Sequence, residues 1–270
     1  MRRVYKPCMQ RRGSDIALFF ALACAITWTS AAPAARAWMA HENPSPGAIA
    51  LAGVSAFGPL LAALLAGWRR KSLREVFGRW KTHPKWLVLA FLAPAAIHLA
   101  ASLSYTAIGG TPDRWLHLPL TPEAFAAMIV FPLGEEFGWR GFLHARALER
   151  WGAVRGPLLV GLMWGVWHLA YAITPTSAGF DWVTFAMNML FTLAYAPVIA
   201  LFMERSGRSI AVALAIHAGA HFDHLEAAPL ALVGLHGFNI VFAAVASTWA
   251  LFALRAGDKR RHDQNAPSLR

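Results

Sequence analysis

The stretch KWLVLAFLAPAAIHLAASLSY (residues 85–105) has Lys85 at its first position and no further Lys, Arg, Asp or Glu. At ~1.5 Å of helix rise per residue it matches the ~30 Å hydrocarbon thickness of a bilayer. No water is present there to satisfy backbone N–H and C=O groups, so a run of this kind crosses as a helix. Two neighbours read the same way, DIALFFALACAITWTSAAPA (15–34) and AIALAGVSAFGPLLAALLAGW (48–68).

The whole chain agrees with these blocks. Of its 270 residues, 57% are hydrophobic and 14% charged, well below the roughly 25% charge of a soluble domain. The expectation is an all-α polytopic membrane protein with about eight transmembrane helices, at 15–36, 47–68, 86–108, 122–145, 156–174, 182–203, 209–223 and 229–254. The first is not expected to be a cleaved signal, because apolar spans follow it without a soluble domain. No repeat, linker or second domain is visible, so residues 1–270 read as one membrane domain.

Placing both termini in the cytoplasm puts 23 of the 25 Lys and Arg residues on the inner side and leaves Arg36 and Arg114 outside, as the positive-inside rule requires. The net charge of +11 then follows from topology and from anionic lipid at the cytoplasmic face, and needs no nucleic acid. The basic segment RRKSLREVFGRWKTHPK (69–85) is amphipathic through Leu73, Val76, Phe77 and Trp80 and is expected to lie on the inner membrane surface. Cys8 and Cys24 are far apart and share no metal or disulfide spacing.

Ionisable groups inside apolar segments are costly and so point to function. They cluster in GEEFGWRG (134–141), GLMWGVWH (161–168) and AIHAGAH (215–221). Glu136 and Arg140 are i,i+4 and able to pair. Glu135 points ~100° from Glu136 and ~140° from Arg140 on an α-helix, beside a ridge of Gly134, Gly138, Gly141 and Ala145 that permits close packing. The stripe of Gly161, Gly165 and His168 turns His168 into the bundle, and Trp164 and Trp167 read as packing. His217 and His221 are one turn apart on one face, a spacing that suits a shared metal, a shared proton or, for His221, a solvated outer end next to Asp223 and His224. Counted up from the basic ends, Glu135, His168 and His217 each fall ~14–20 Å into the membrane. They read as one glutamate/histidine site.

A carboxylate and histidines in a low-dielectric cavity can hold and deprotonate a water molecule. The histidines could bind a metal such as zinc that acidifies the water, or donate hydrogen bonds to an oxyanion. No Ser-His-Asp set, P-loop or dinucleotide fingerprint appears. Water-driven hydrolysis of an amide is the favoured reaction class, against a non-enzymatic immunity or scaffold protein that retains the site and against a proton-coupled transporter.

EEFGWRGFL, WGVWHLAY and the HxxxH of 217–221 resemble the ordered motifs of the CPBP family, which includes CAAX prenyl endopeptidases and bacterial proteins of bacteriocin processing and immunity. The resemblance covers about 123–242. It implies an α-helical intramembrane endopeptidase, possible zinc dependence, and a membrane-associated protein or peptide as substrate, either CAAX-type or a peptide leader. It places Glu135 as the water-activating glutamate, Glu136 and Arg140 as orienting residues, and His168 and His217 as site histidines. His221 stands where the family has Asn or Asp. The expected location is a bacterial inner (cell) membrane.

Overall fold

The computed structural model describes residues 6–70, 73–112, 115, 121–173, 179–222 and 234–264. Arg114, Asp223 and His224, which the sequence reading placed at the outer side, lie outside them. Among the described residues the chain is helical, with one isolated bridge between Arg79 and Ser209 and no strand. The helices are α1 Lys6–Met39, α2 Pro46–Ser55, α3 Gly58–Arg70, α4 Leu73–Val76, α5 Pro84–Ala107 and α6 Pro122–Glu136. A π-helix follows at Phe137–His144, then α7 Ala145–Trp167 and a 3-10 turn His168–Tyr171. The chain closes with α8 Trp182–Arg205, α9 Ile210–Phe222 and α10 Leu235–Gln264.

Local chemistry starts several of these helices. Pro46 and Pro84 stand in first turns, where a missing N–H costs nothing. Ser45 accepts Ala48 N at 3.2 Å, His83 accepts Lys85 N at 3.2 Å, and Asp181 accepts Val183 N at 2.9 Å and Thr184 N at 3.1 Å.

Among the described residues, four helical segments are long and apolar enough to cross a membrane: Asp15–Met39, Pro84–Ala107, Trp182–Arg205 and Leu235–Asp258. A fifth crossing results if α2 and α3, bent by 58°, are counted together. The bend falls where Pro59 cannot continue the hydrogen-bond ladder of α2. The chain is therefore an integral membrane protein. The remaining segments are not uniform spans of about 20 residues: α6 has 15 residues, α9 has 13, and the first half of α7 carries Arg146, Glu149, Arg150 and Arg155.

Gly152, at φ 77° and ψ 179°, breaks α7. A Cβ on Gly156 would stand 3.0 Å from the Ala147 carbonyl, although nine residues of straight helix span ~13 Å. The chain thus folds back on itself, and 153–167 return alongside the segment that preceded them. This reversal brings the second polar segment back to the level of the first.

Small residues let the helices approach. Ala62, Ala63, Ala90 and Ala101 are fully buried, and a Cβ on Gly219 would strike the Phe91 carbonyl of α5. Large apolar side chains face outward instead, among them Leu92 and Leu103 of α5 and Val245, Trp249 and Phe252 of α10. In a bilayer these meet lipid.

One end of the bundle gathers three basic segments. Ile210 N donates to Arg79 O at 2.7 Å, Ser209 Oγ to Trp80 O at 3.0 Å, and Thr82 Oγ1 to Ser206 O at 3.4 Å. Arg146 pairs with Glu75 at 2.7 Å. The segment at 69–85 differs from a simple surface strip: Val76 is fully buried, whereas Phe77 and Trp80 are exposed and touch Phe137. Arg140, counted above among the inner charges, is buried in the core rather than in a loop.

Candidate active site

The glycine ridge of 134–141 does what close packing demands. A Cβ on Gly134 would stand 2.7 Å from Ala56 O, and one on Gly138 2.5 Å from the Pro59 carbonyl; Gly141 abuts Val76 O. The α2–α4 stretch is thereby pressed against the polar segment, and Glu135, Glu136 and Arg140 are all buried. The turn that carries Arg140 is π-helical, a rare conformation that often occurs at functional sites.

Glu136 Oε1 accepts Arg140 Nη1 at 2.6 Å and His217 Nδ1 at 2.7 Å. The i,i+4 pair read from the sequence is present, and α9 supplies a third member. Glu135 is held differently: its Oε2 accepts the indole Nε1–H of Trp164 at 2.8 Å. The Arg140 guanidinium lies 4.3 Å over the same indole. Trp164 therefore joins Glu135 to Arg140, two residues that an ideal α-helix would have turned well apart.

His168 opens the 3-10 turn after α7 and its Nδ1 lies 2.9 Å from Trp164 O. A carbonyl only accepts, so Nδ1 carries a proton, and in the neutral ring Nε2 is the lone-pair nitrogen. The His217 ring meets Trp164 edge-on at 5.4 Å, and the His168 ring lies 5.8 Å from that indole. The three polar segments thus meet at one level. His221 is half-buried in the last turn of α9, stacked on His217 at 4.9 Å with 9° between the planes, and 6.5 Å from Phe131. It is part of the helix and not of a solvated loop.

Two buried atoms of the pair, Glu136 Oε2 and Arg140 Nη2, have no hydrogen-bond partner among the described residues. Buried polar atoms are ordinarily satisfied by protein or water, so these offer one acceptor and one donor to a bound molecule. A metal fits the arrangement poorly. No group of three His, Cys, Asp or Glu side chains converges to hold one among the described residues, and Glu136 Oε1 is taken by Arg140 and His217.

Sequence reading underrated two features. Trp164, taken as packing, hydrogen-bonds Glu135; an N–H-bearing aromatic one turn before His168 was the available signal. The second is a hydrogen-bond chain behind His168: Trp167 Nε1 to Thr27 Oγ1 at 2.7 Å, Thr27 Oγ1 to Ser55 O at 2.8 Å, and Tyr171 OH with Ser55 Oγ at 2.9 Å. It fixes the 3-10 turn to α1 and to the end of α2. Nothing local in the sequence announces contacts 116 and 140 residues apart.

Fold and site together define a helical integral membrane protein with a buried cluster of two glutamates, an arginine and histidines. Residues 117–223 match a family model, described as type II CAAX prenyl endopeptidase Rce1-like, and the family resemblance of the motifs stands. The matched segment contains Glu135, Glu136, Arg140, Trp164, His168, His217 and His221. No curated protein matches the chain.

Proposed function

We propose that the chain is an intramembrane endopeptidase that hydrolyses a peptide bond with water activated by Glu135. The observation that carries this reading is the division of labour between the adjacent carboxylates. Glu136 is ion-paired to Arg140 and bonded to His217 through Oε1, whereas Glu135 accepts an uncharged donor, the Trp164 N–H, and keeps its other oxygen for a proton.

In the proposed step, Glu135 takes a proton from water as the water oxygen bonds to the scissile carbonyl carbon. Glu135 then returns the proton to the departing amine as the C–N bond breaks. His168, through the lone pair of Nε2, holds the water in line. His217, as the imidazolium anchored at Nδ1 on Glu136, donates its Nε2–H to the reacting carbonyl. Arg140 Nη2 and the His221 imidazole supply donors near the developing oxyanion. No step is routed through a metal. The substrate is a membrane-associated protein or peptide, CAAX-type or a peptide leader.

The proposal extends to topology. The segments at 122–145, 156–174 and 209–223 cross as shorter or broken elements and complete eight spans. Both termini lie in the cytoplasm of a bacterial cell. Basic segments gathered at one end support this orientation, and anionic lipid meets them there beside exposed Trp68, Phe77 and Trp80. A cleavage assay on the reconstituted protein with a prenylated CAAX peptide tests the chemistry. Wild type should cleave and Glu135→Gln should not; cleavage by Glu135→Gln at the wild-type rate would remove Glu135 from the reaction.

A further inference from the structure

Trp164 makes two directed contacts with two different members of the site. Its side chain donates to Glu135 at 2.8 Å, and its backbone carbonyl accepts His168 Nδ1 at 2.9 Å. Its ring is covered by Arg140 at 4.3 Å and met edge-on by His217 at 5.4 Å. An aromatic present only for packing needs neither the N–H nor this placement.

We propose that Trp164 is a positioning residue that aims both the Glu135 carboxylate and the His168 imidazole at the same point. The inference rests on the endopeptidase reading and adds a residue to it. The physical reason lies in the carboxylate's freedom. A Glu side chain has three rotatable bonds, and the terminal one has broad, two-fold preferences, so burial alone does not set where its free oxygen points. The hydrogen bond to Oε2 holds that oxygen in place and so restricts where Oε1 can point. The Trp164 carbonyl meanwhile selects the Nδ1–H form of His168 and turns Nε2 outward. Both effects come from one residue, so the aim of Glu135 and the tautomer of His168 are set together. Trp164 itself touches no reacting atom.

Phenylalanine keeps an aromatic ring and the main-chain carbonyl and deletes the N–H together with part of the indole. Trp164→Phe should therefore retain KM within about twofold and lose kcat by about 10- to 100-fold, the range for a hydrogen bond to a charged group. The second measurement needs no catalysis. With the 12 tryptophans labelled at indole 15N in lipid nanodiscs, the resonance missing from Trp164→Phe belongs to Trp164. Glu135→Gln should shift that resonance more than any other indole and more than Glu136→Gln does. Where Trp164→Phe fails to accumulate, Trp164→Tyr serves for assignment and kinetics. A Trp164 resonance that ignores Glu135→Gln, or wild-type kcat in the phenylalanine variant, overturns the proposal. If the indole responds while wild type cleaves nothing, the contact stands and the protease reading fails.

Discussion

His217 Nδ1 lies 2.7 Å from Glu136 Oε1, the oxygen that also accepts Arg140 at 2.6 Å, across 81 residues of sequence. One carboxylate oxygen thus fixes an arginine on its own helical turn and a histidine on α9. Position 136 is where the first and third polar segments are tied together, and its ion pair with Arg140 makes it the weaker base of the two carboxylates.

Glu136→Gln should consequently damage the fold before the chemistry. It removes the only carboxylate bonded to the buried Arg140 among the described residues, a change that costs about 3–5 kcal/mol in other buried pairs. Less protein should accumulate, and its melting temperature in detergent should fall. Glu135→Gln should melt like wild type. A well-folded but inactive Glu136→Gln beside an active Glu135→Gln would reverse the two roles.

His221 separates three outcomes in a cleavage assay. As an oxyanion donor, it should lose about 10²–10³-fold on change to Ala, and His221→Asn should retain activity because Asn restores a donor. Equal damage from Asn and Ala, with zinc bound to the purified protein, would assign a metal ligand. Silence of both would limit His221 to stacking on His217.

Asp181 provides the pH dependence. The Thr184 hydroxyl at 2.6 Å and the Thr184 and Val183 N–H groups hold its carboxyl below the usual range. A depressed carboxylate pKa stabilises the fold above the unfolded value of ~3.9, and that stability is lost as pH falls through the folded value. At pH 7, Asp181→Ala should cost about 1 kcal/mol, typical of an N-cap. The melting difference from wild type should shrink as the pH is lowered below about 4. A difference that persists unchanged in acid would exclude the carboxylate as its source.

Topology reporters fused after Lys85 and after Gly110 should read opposite sides, because α5 lies between them and is long and apolar enough to cross. Identical readings would break the two-sided arrangement on which the eight-span proposal rests.

The helical class, the membrane setting and the three polar segments were all legible, because long apolar runs and isolated charges are local signals. The bend between Ser55 and Gly58 was legible in principle from Gly58-Pro59, yet the run 48–68 reads as one span by hydropathy. The π-helix was not legible. It is bound up with the packing of Gly138 and Gly141 against Pro59 and Val76, contacts far apart in sequence. A fixed 3.6-residue period therefore turned Glu135 away from Arg140, and Trp164 lost its place between them. The pair of Glu136 with Arg140 is legible because it needs only its own helix.

That self-sufficiency matters during biosynthesis. Glu136 and Arg140 emerge from the ribosome together, whereas His217 follows 81 residues behind Glu136. A lone charge at a helix centre costs about 2.5–3.5 kcal/mol to insert, and the two cancel within one turn at the moment they leave the translocon. The Glu136–Arg140 pair enters lipid as a neutral unit and waits there, incomplete, until α9 is made. A chain truncated before Ile210 should still integrate residues 122–145, and replacing Arg140 with Ala should lower that integration.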